Sequence, residues 1–220
     1  MGRAVVDWNC RNPYCAQCGQ STLSVQAGFK RVCPETDLSA VAAGRERPDC
    51  ATRTSISNIS FPRTDPSIIV AVVSNDGKKT LLGHNSRWQP DWYSTLAGFC
   101  EPGESAEEAT RREVYEETGV RIGRVIIHST QPWPYPSSLM IGAIAQALPG
   151  EEEVSLEHDH ELMSAKWFDL PEVEDALEHR AIPMGEPAPA HFAEGKLRVP
   201  PSTAVAHQLL HAIVGGYMQG

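Results

Sequence analysis

The stretch Gly98-Phe-Cys-Glu-Pro-Gly103-Glu104-Ser105-Ala106-Glu-Glu108-Ala109-Thr110-Arg-Arg112-Glu113-Val114-Tyr-Glu116-Glu117-Thr-Gly119-Val120 decides how this chain is read. Ser105 and Glu108 have the S-x-x-E spacing of a capping box, and Gly119 stands where a helix stops, so a helix is expected between them. At about 100° per residue, Glu113, Glu116 and Glu117 share one side of that helix with the small residues Ala106, Ala109 and Thr110. The small, apolar stripe of a helix normally turns inward, and three carboxylates on it are unfavourable unless cations offset them. Arg112 can neutralise one charge. The remainder suits hard divalent ions such as Mg²⁺ or Mn²⁺, which take oxygen ligands and recruit phosphate oxygens. For the three glutamates taken alone, a solvated surface helix is the equal alternative. Glycine at 98 and 103 lets the preceding loop approach a ligand closely.

Upstream, Ser67-Ile-Ile-Val-Ala-Val-Val73 is a continuous β-branched run and reads as a buried strand; Asn75, Asp76 and Gly77 make a turn, and Thr80 to Leu82 is its hairpin partner. Trp92 to Ala97 is a further strand, ended by the Gly98 to Gly103 loop. Downstream, Arg124 to Ser129 and Leu139 to Ala147 read as strands on either side of a proline-rich insert, with another strand around Lys166 to Phe168. Helices are expected over Leu170 to Leu177 and Thr203 to Val214, with a proline-rich loop over 181–201. Strands and helices interleave, so the main domain is a mixed-sheet α/β sandwich.

The 220 residues are 41% hydrophobic and 21% charged, which excludes collagen-like, coiled-coil and wholly disordered chains. A net charge of −9 (19 − 28) argues against a broad basic surface for duplex DNA or an anionic membrane. The best apolar run, Ile68 to Val73, is far below the roughly 20 residues of a membrane span. There is no secretory stretch at the start, and Met218, Gln219 and Gly220 form neither a prenylation box nor an SKL-type ending. An intracellular, cytoplasmic location is expected, with the peroxisome open despite the missing address.

The quoted stretch matches the pattern G-x5-E-x7-R-E-U-x-E-E-x-G-U, with U apolar, at Gly98, Glu104, Arg112, Glu113, Val114, Glu116, Glu117, Gly119 and Val120. A chance match at one window is on the order of 10⁻⁹ or less, so accident is set aside. The chain thus resembles the Nudix hydrolases. By that resemblance, Glu113, Glu116 and Glu117 are catalytic metal ligands, one of them a candidate base. Glu104 and Arg112 are support, the Ala97 carbonyl is an additional ligand, and Glu161 in His160-Glu-Leu162 is the distal glutamate completing the site. Ser129-Thr-Gln131-Pro132-Trp133-Pro134-Tyr135-Pro136-Ser137-Ser138 is similar to the SQPWPFP-x-S signature of the NADH pyrophosphatase branch, with Thr130 and Tyr135 as mild departures. The wording of Phe61 to Pro66 resembles that of fungal or other eukaryotic members. The resemblance assigns Gln131 to Ser138 to substrate binding, lets Phe61 and Phe99 sandwich the nicotinamide, and places the Ala206 backbone near the substrate. It implies hydrolysis of the diphosphate of NADH or NAD⁺ to nicotinamide mononucleotide and AMP, together with removal of NAD caps from RNA 5′ ends. The alternatives are hydrolysis of ADP-ribose or diadenosine polyphosphates, and a catalytically silent binding module.

Cys15-Ala-Gln-Cys18-Gly19 reads as a zinc knuckle, and Cys33 and Cys50 can supply the other two thiolates of a structural, closed Zn²⁺ site. Relatives often hold their second pair as CxxC, whereas sixteen residues separate these two; the loop 34–49 must leave and return. Cys10 is a competing ligand, and Cys100 reads as a packed thiol. The expected domains are therefore a zinc-ribbon module over 1–60 and a Nudix domain over 61–215. Family members usually carry a further amino-terminal domain that helps build a homodimer, while this chain begins close to its cysteines, which leaves dimerisation open.

Overall fold

Alternation along one strand organises the main unit. In β3 (Asp65–Val73), Ile69, Ala71 and Val73 pack in one apolar cluster while Ile68, Val70 and Val72 pack in another. Successive side chains of a strand point to opposite faces, so a run of buried residues at both parities means a sheet covered on both sides. In the computed structural model, which describes residues 1–37, 44–54, 60–187, 189, 192 and 195–217, these covers are helices. The quoted helix, α3 (Ala106–Thr118), lies over one face through Ala109 and Val114. The other face carries α4 (Leu170–His179), through Val173 and Ala176, and α5 (Val205–Val214), through Leu209, Leu210 and Ile213.

The sheet has the order β6 (Ile122–Trp133), β7 (Ser138–Ala147), β3, β4 (Lys79–His84), β8 (Ser164–Asp169), with β5 (Leu96–Phe99) also pairing β3. β3 and β4 are antiparallel, with Val72 opposite Leu81, and β4 pairs β8 antiparallel from Lys79–Asp169 to His84–Ser164. The mixed α/β fold expected from the sequence forms, with three local differences. β5 begins at Leu96 and continues through Gly98 and Phe99, because Ile68 pairs with Gly98 and Ser67 with Phe99. Trp92 and Ser94 instead make isolated bridges to Arg198 and Gly83, sharing their backbone bonds between two neighbours. β6 runs through Pro132 into Trp133; it is an edge strand, where a missing N–H can face away from the ladder.

The described chain forms two compact units, Met1–Thr64 with the tip Trp133–Ser138, and Asp65–Pro132 with Leu139–Gly220. The first contains α1 (Gly2–Arg11), the short antiparallel hairpin β1 (Leu23–Val25) and β2 (Lys30–Val32), and the single turn α2 (Ala51–Thr54). Arg31 knits it together, donating from Nε to Thr22 Oγ1 at 2.7 Å and from Nη1 to Asn9 Oδ1 at 2.8 Å. α1 had no counterpart in the sequence reading. It has no side-chain cap and buries only Trp8, so no start signal announces it. Parts of the 34–49 and 181–201 loops, and Met218, Gln219 and Gly220, fall outside the described residues. Among the described residues, no helix is long and apolar enough to cross a membrane.

Candidate functional site

The capping box is present in full: the Glu108 N–H donates to Ser105 Oγ at 3.2 Å and the Ser105 N–H to Glu108 Oε2 at 2.9 Å. Gly119 ends α3 in the left-handed region at φ 71°, a conformation that disfavours any residue with a Cβ. With its ends thus defined, α3 presents its carboxylates at graded depth. Glu117 is 4% exposed, Glu113 is half-buried and Glu116 is exposed. The three therefore do not share one buried stripe: Val114 and Thr118 take the core side beside Glu117, and Glu116 turns out to solvent.

Arg112 braces this edge. It donates from Nε and Nη2 to both oxygens of Glu104, at 2.6 and 2.8 Å, and from Nη1 to Glu113 at 2.9 Å and Glu116 at 3.0 Å. A further bond from Nη2 to the Phe99 carbonyl, at 2.8 Å, pins the end of β5 to the helix. The bidentate Arg112 pairing, with the Glu101 N–H, brings Glu104 down to about 2. Glu113 lies directly over Gly98: a Cβ there would sit 2.0 Å from its carboxyl carbon. The glycine is needed for this close approach, and no unusual φ is involved.

Glu117 receives no such help. Burial first, then the charges of Glu113, Glu161 and Asp159, push it up to about 8. Its Oε2 is buried without a hydrogen-bond partner. An orphaned carboxylate oxygen in the field of other carboxylates is a donor of the kind that Mg²⁺ or Mn²⁺ satisfies. Among the described residues, however, only the four cysteines Cys15, Cys18, Cys33 and Cys50 have their ligand atoms drawn together closely enough to share an ion as they stand. Glu161 is exposed; its N–H donates to Asp159 Oδ1 at 3.0 Å and its carbonyl accepts from Asn85 Nδ2 at 3.0 Å. Asp159 was missed in the sequence, although the run His158-Asp-His-Glu161 carried the signal. The Tyr115 and His158 rings stack at 4.9 Å, holding this loop against α3. Ala97 lies in β5 opposite Ile69.

In the first unit, Cys15, Cys18, Cys33 and Cys50 bring their sulfurs within 4.8 Å of one another, while Cys10 is exposed and outside the group. The Cys15–Cys50 and Cys18–Cys33 separations are 3.8 and 3.7 Å. Four sulfurs at ~2.3 Å from a central zinc would lie ~3.8 Å apart, so the group has tetrahedral thiolate dimensions. The sixteen-residue excursion closes at its neck: Arg47 N–H donates to the Glu35 carbonyl, and the Arg47 side chain to Asp37 at 2.6 Å. Burial raises the Cys15 thiol, but the backbone N–H groups of Cys18 and Gln17 and the Thr52 hydroxyl outweigh it and bring it to about 6. Cys18, despite the Gln20 N–H, is pushed up to about 11 by burial and by the sulfurs of Cys33, Cys50 and Cys15. Cys50 is lowered too, chiefly by the Thr52 hydroxyl, so Cys15 and Cys50 ionise readily while Cys18 resists, a split that a shared cation would relieve. A structural zinc fits; Cys100 stays in the other unit as a half-buried thiol that burial pushes up.

The expected substrate residues divide. Gln131 is committed at both ends of its amide, donating to the Thr203 carbonyl at 2.8 Å and accepting from the Val205 N–H at 2.9 Å, so it anchors the start of α5. Ala206 is buried in that helix. Trp133 and Tyr135 are exposed, and the Arg3 guanidinium lies 4.4 Å from the Tyr135 ring centre. Pro132 and Pro136 are exposed, while Pro134, Ser137 and Ser138 are half-buried. Phe61 and Phe99 are each more than half exposed and fall in different units, Phe61 under the Lys30 ammonium at 5.2 Å.

Comparison with known proteins adds independent findings. Residues 63–187 match the family described as NUDIX domain, and residues 11–39 match the NADH pyrophosphatase zinc ribbon domain. A Macaca fascicularis protein named NAD-capped RNA hydrolase NUDT12 is 40% identical over 96% of this chain and 40% of its own length. The Saccharomyces cerevisiae NAD-capped RNA hydrolase NPY1 is 36% identical over 99% of this chain and 54% of its own. The mouse mitochondrial NAD(P)H pyrophosphatase NUDT13 is 35% identical, over 94% and 52% respectively. The chain thus spans between two fifths and just over half of these relatives.

Proposed function

Because this chain belongs to the Nudix family, we propose that it hydrolyses the diphosphate bond of NADH and NAD⁺, giving reduced or oxidised nicotinamide mononucleotide and AMP, and that it also removes NAD caps from RNA. The observation that carries this is the buried, unpartnered Glu117 oxygen set among Glu113, Glu161 and Asp159. Glu113, Glu116, Glu117 and Glu161 are the residues to hold a divalent cation, which when bound neutralises the diphosphate and supplies an activated water. This chain's own part is positioning. Arg112 holds Glu113 and Glu116 in register, Gly98 leaves room for Glu113, and Asp159 orients the Glu161 backbone. Within the Nudix unit, the exposed Phe99 ring offers a π-face for a nicotinamide or adenine. The reading carries an intracellular location and a homodimer, the latter to be checked by multi-angle light scattering in solution.

Product analysis tests it. The full chain is incubated with NADH, NAD⁺, ADP-ribose and NAD-capped RNA, with and without Mn²⁺. Metal-dependent release of AMP and the mononucleotide, fastest with an NAD-containing substrate, is expected; inertness toward all four, or cleavage of ADP-ribose alone, would overturn the assignment. A second expectation concerns Gly98→Ala. Displacing the Glu113 carboxylate should lower kcat/KM by about 100-fold, with far-ultraviolet circular dichroism unchanged. Full activity in this variant would show that Glu113 need not sit where it does.

A further inference from the structure

A pocket of about 340 Å³ opens beside Glu161, lined by Asn85, Arg87, Trp88, Met184 and Gly185. It owes its place to Asn85, which is 9% exposed and uses both ends of its amide: Nδ2 donates to the Glu161 carbonyl, and Oδ1 accepts from the Arg87 N–H at 3.0 Å. The Trp88 N–H closes the turn on the Asn85 carbonyl at 2.9 Å. One buried amide therefore bolts the Arg87–Trp88 turn to the backbone of a proposed metal ligand. Trp88 is set edge-on against Trp92, ring centres 4.9 Å apart, and the Trp92 indole is itself fixed by donating to the Ile182 carbonyl at 3.0 Å. The Trp88 ring is thus oriented yet half-exposed. Arg87 is exposed, and among the described residues no ion pair claims its guanidinium.

A held indole, a free guanidinium and the apolar Met184 are complementary to one nucleotide: a π-face for a base and a planar cation for a phosphate. The volume is at the low end for ligand pockets, room for one such group and not for a whole dinucleotide. We propose that this pocket, resting on the hydrolase reading above, binds one nucleotide of the substrate, with Trp88 stacking on the base and Arg87 meeting a phosphate. That nucleotide has two sources: half of a free dinucleotide, or the first RNA nucleotide behind an NAD cap.

The double variant R87A/W88A of the full chain, assayed with Mn²⁺ on NADH and on NAD-capped RNA, separates them. KM is expected to rise about tenfold or more, with the effect in KM rather than kcat. A rise on both substrates assigns the pocket to the dinucleotide; a rise on capped RNA alone assigns it to the RNA chain. The milder pair, Arg87→Lys with Trp88→Phe, should recover most of the loss. KM unchanged on both substrates overturns the proposal. Equilibrium titration with AMP, without added divalent cation, gives a readout that needs no turnover: Kd should weaken about tenfold in R87A/W88A. An unchanged Kd, or no saturable AMP binding to the unsubstituted chain, also overturns it. If the unsubstituted chain hydrolyses no dinucleotide while its AMP affinity still depends on Arg87 and Trp88, the hydrolase reading fails and the pocket stands.

Discussion

Glu117→Gln is expected to lower kcat about 10³-fold, ~4 kcal/mol of lost transition-state stabilisation, while making the metal-free protein more stable at alkaline pH. The two effects have one cause. The residue is 4% exposed, one oxygen has no partner, and burial first, then three other carboxylates, raise its pKa to about 8. Glutamine keeps the shape and removes the charge that a cation would need. The stability sign follows from linkage. Glu117 binds its proton more tightly folded than unfolded, so its contribution is complete below the unfolded value near 4.5 and is lost as pH rises through about 8. In buffer without divalent ions, the melting temperature of the variant should exceed that of the parent at pH 9, with the gap closing toward pH 5. Retained turnover, or a gap that widens in acid, would contradict this account of the site.

The second large effect is expected from Cys33→Ser. Among the described residues of the first unit, Trp8 is the only buried apolar side chain besides Cys15, Cys33 and Cys50. A segment of this size with no apolar core needs a staple, and a structural zinc supplies folding free energy of about 10 kcal/mol or more in small thiolate domains. Removing one of four ligands should drop bound zinc from about one per chain to near zero. Limited proteolysis should then cut within 1–64 at least tenfold faster, with the Nudix unit left as a resistant fragment. Zinc retained at parent level would mean that the four sulfurs are gathered for another reason.

The legible features were those with short-range causes. The β-branched run at 68–73 could only be a strand buried on both faces, and Ser105, Glu108 and Gly119 bounded α3 at the two ends observed. Elsewhere local signals misled. Gly98 read as loop but pairs with Ile68 in β5, because a glycine there is demanded by the Glu113 carboxylate and not by a turn. Gln131 read as a substrate contact, yet its amide is consumed by Thr203 and Val205, more than seventy residues away in sequence. The Asn85 link to Glu161 spans a similar distance and left no pattern at all.

What the chain's order of residues determined unaided was identity of kind: glutamates at i, i+3 and i+4 behind a glycine loop, and a cysteine pair on a tight turn. Their chemistry and spacing along the backbone are local properties. Only tertiary structure decided how deep each group lies and what it meets. It made Glu117 the buried, unsatisfied carboxylate and Glu116 the exposed one, and drew Cys33 and Cys50 to Cys15 and Cys18 across a sixteen-residue excursion. Burial and long-range pairing depend on which surfaces pack together, and that packing is set by the whole sheet and its covering helices.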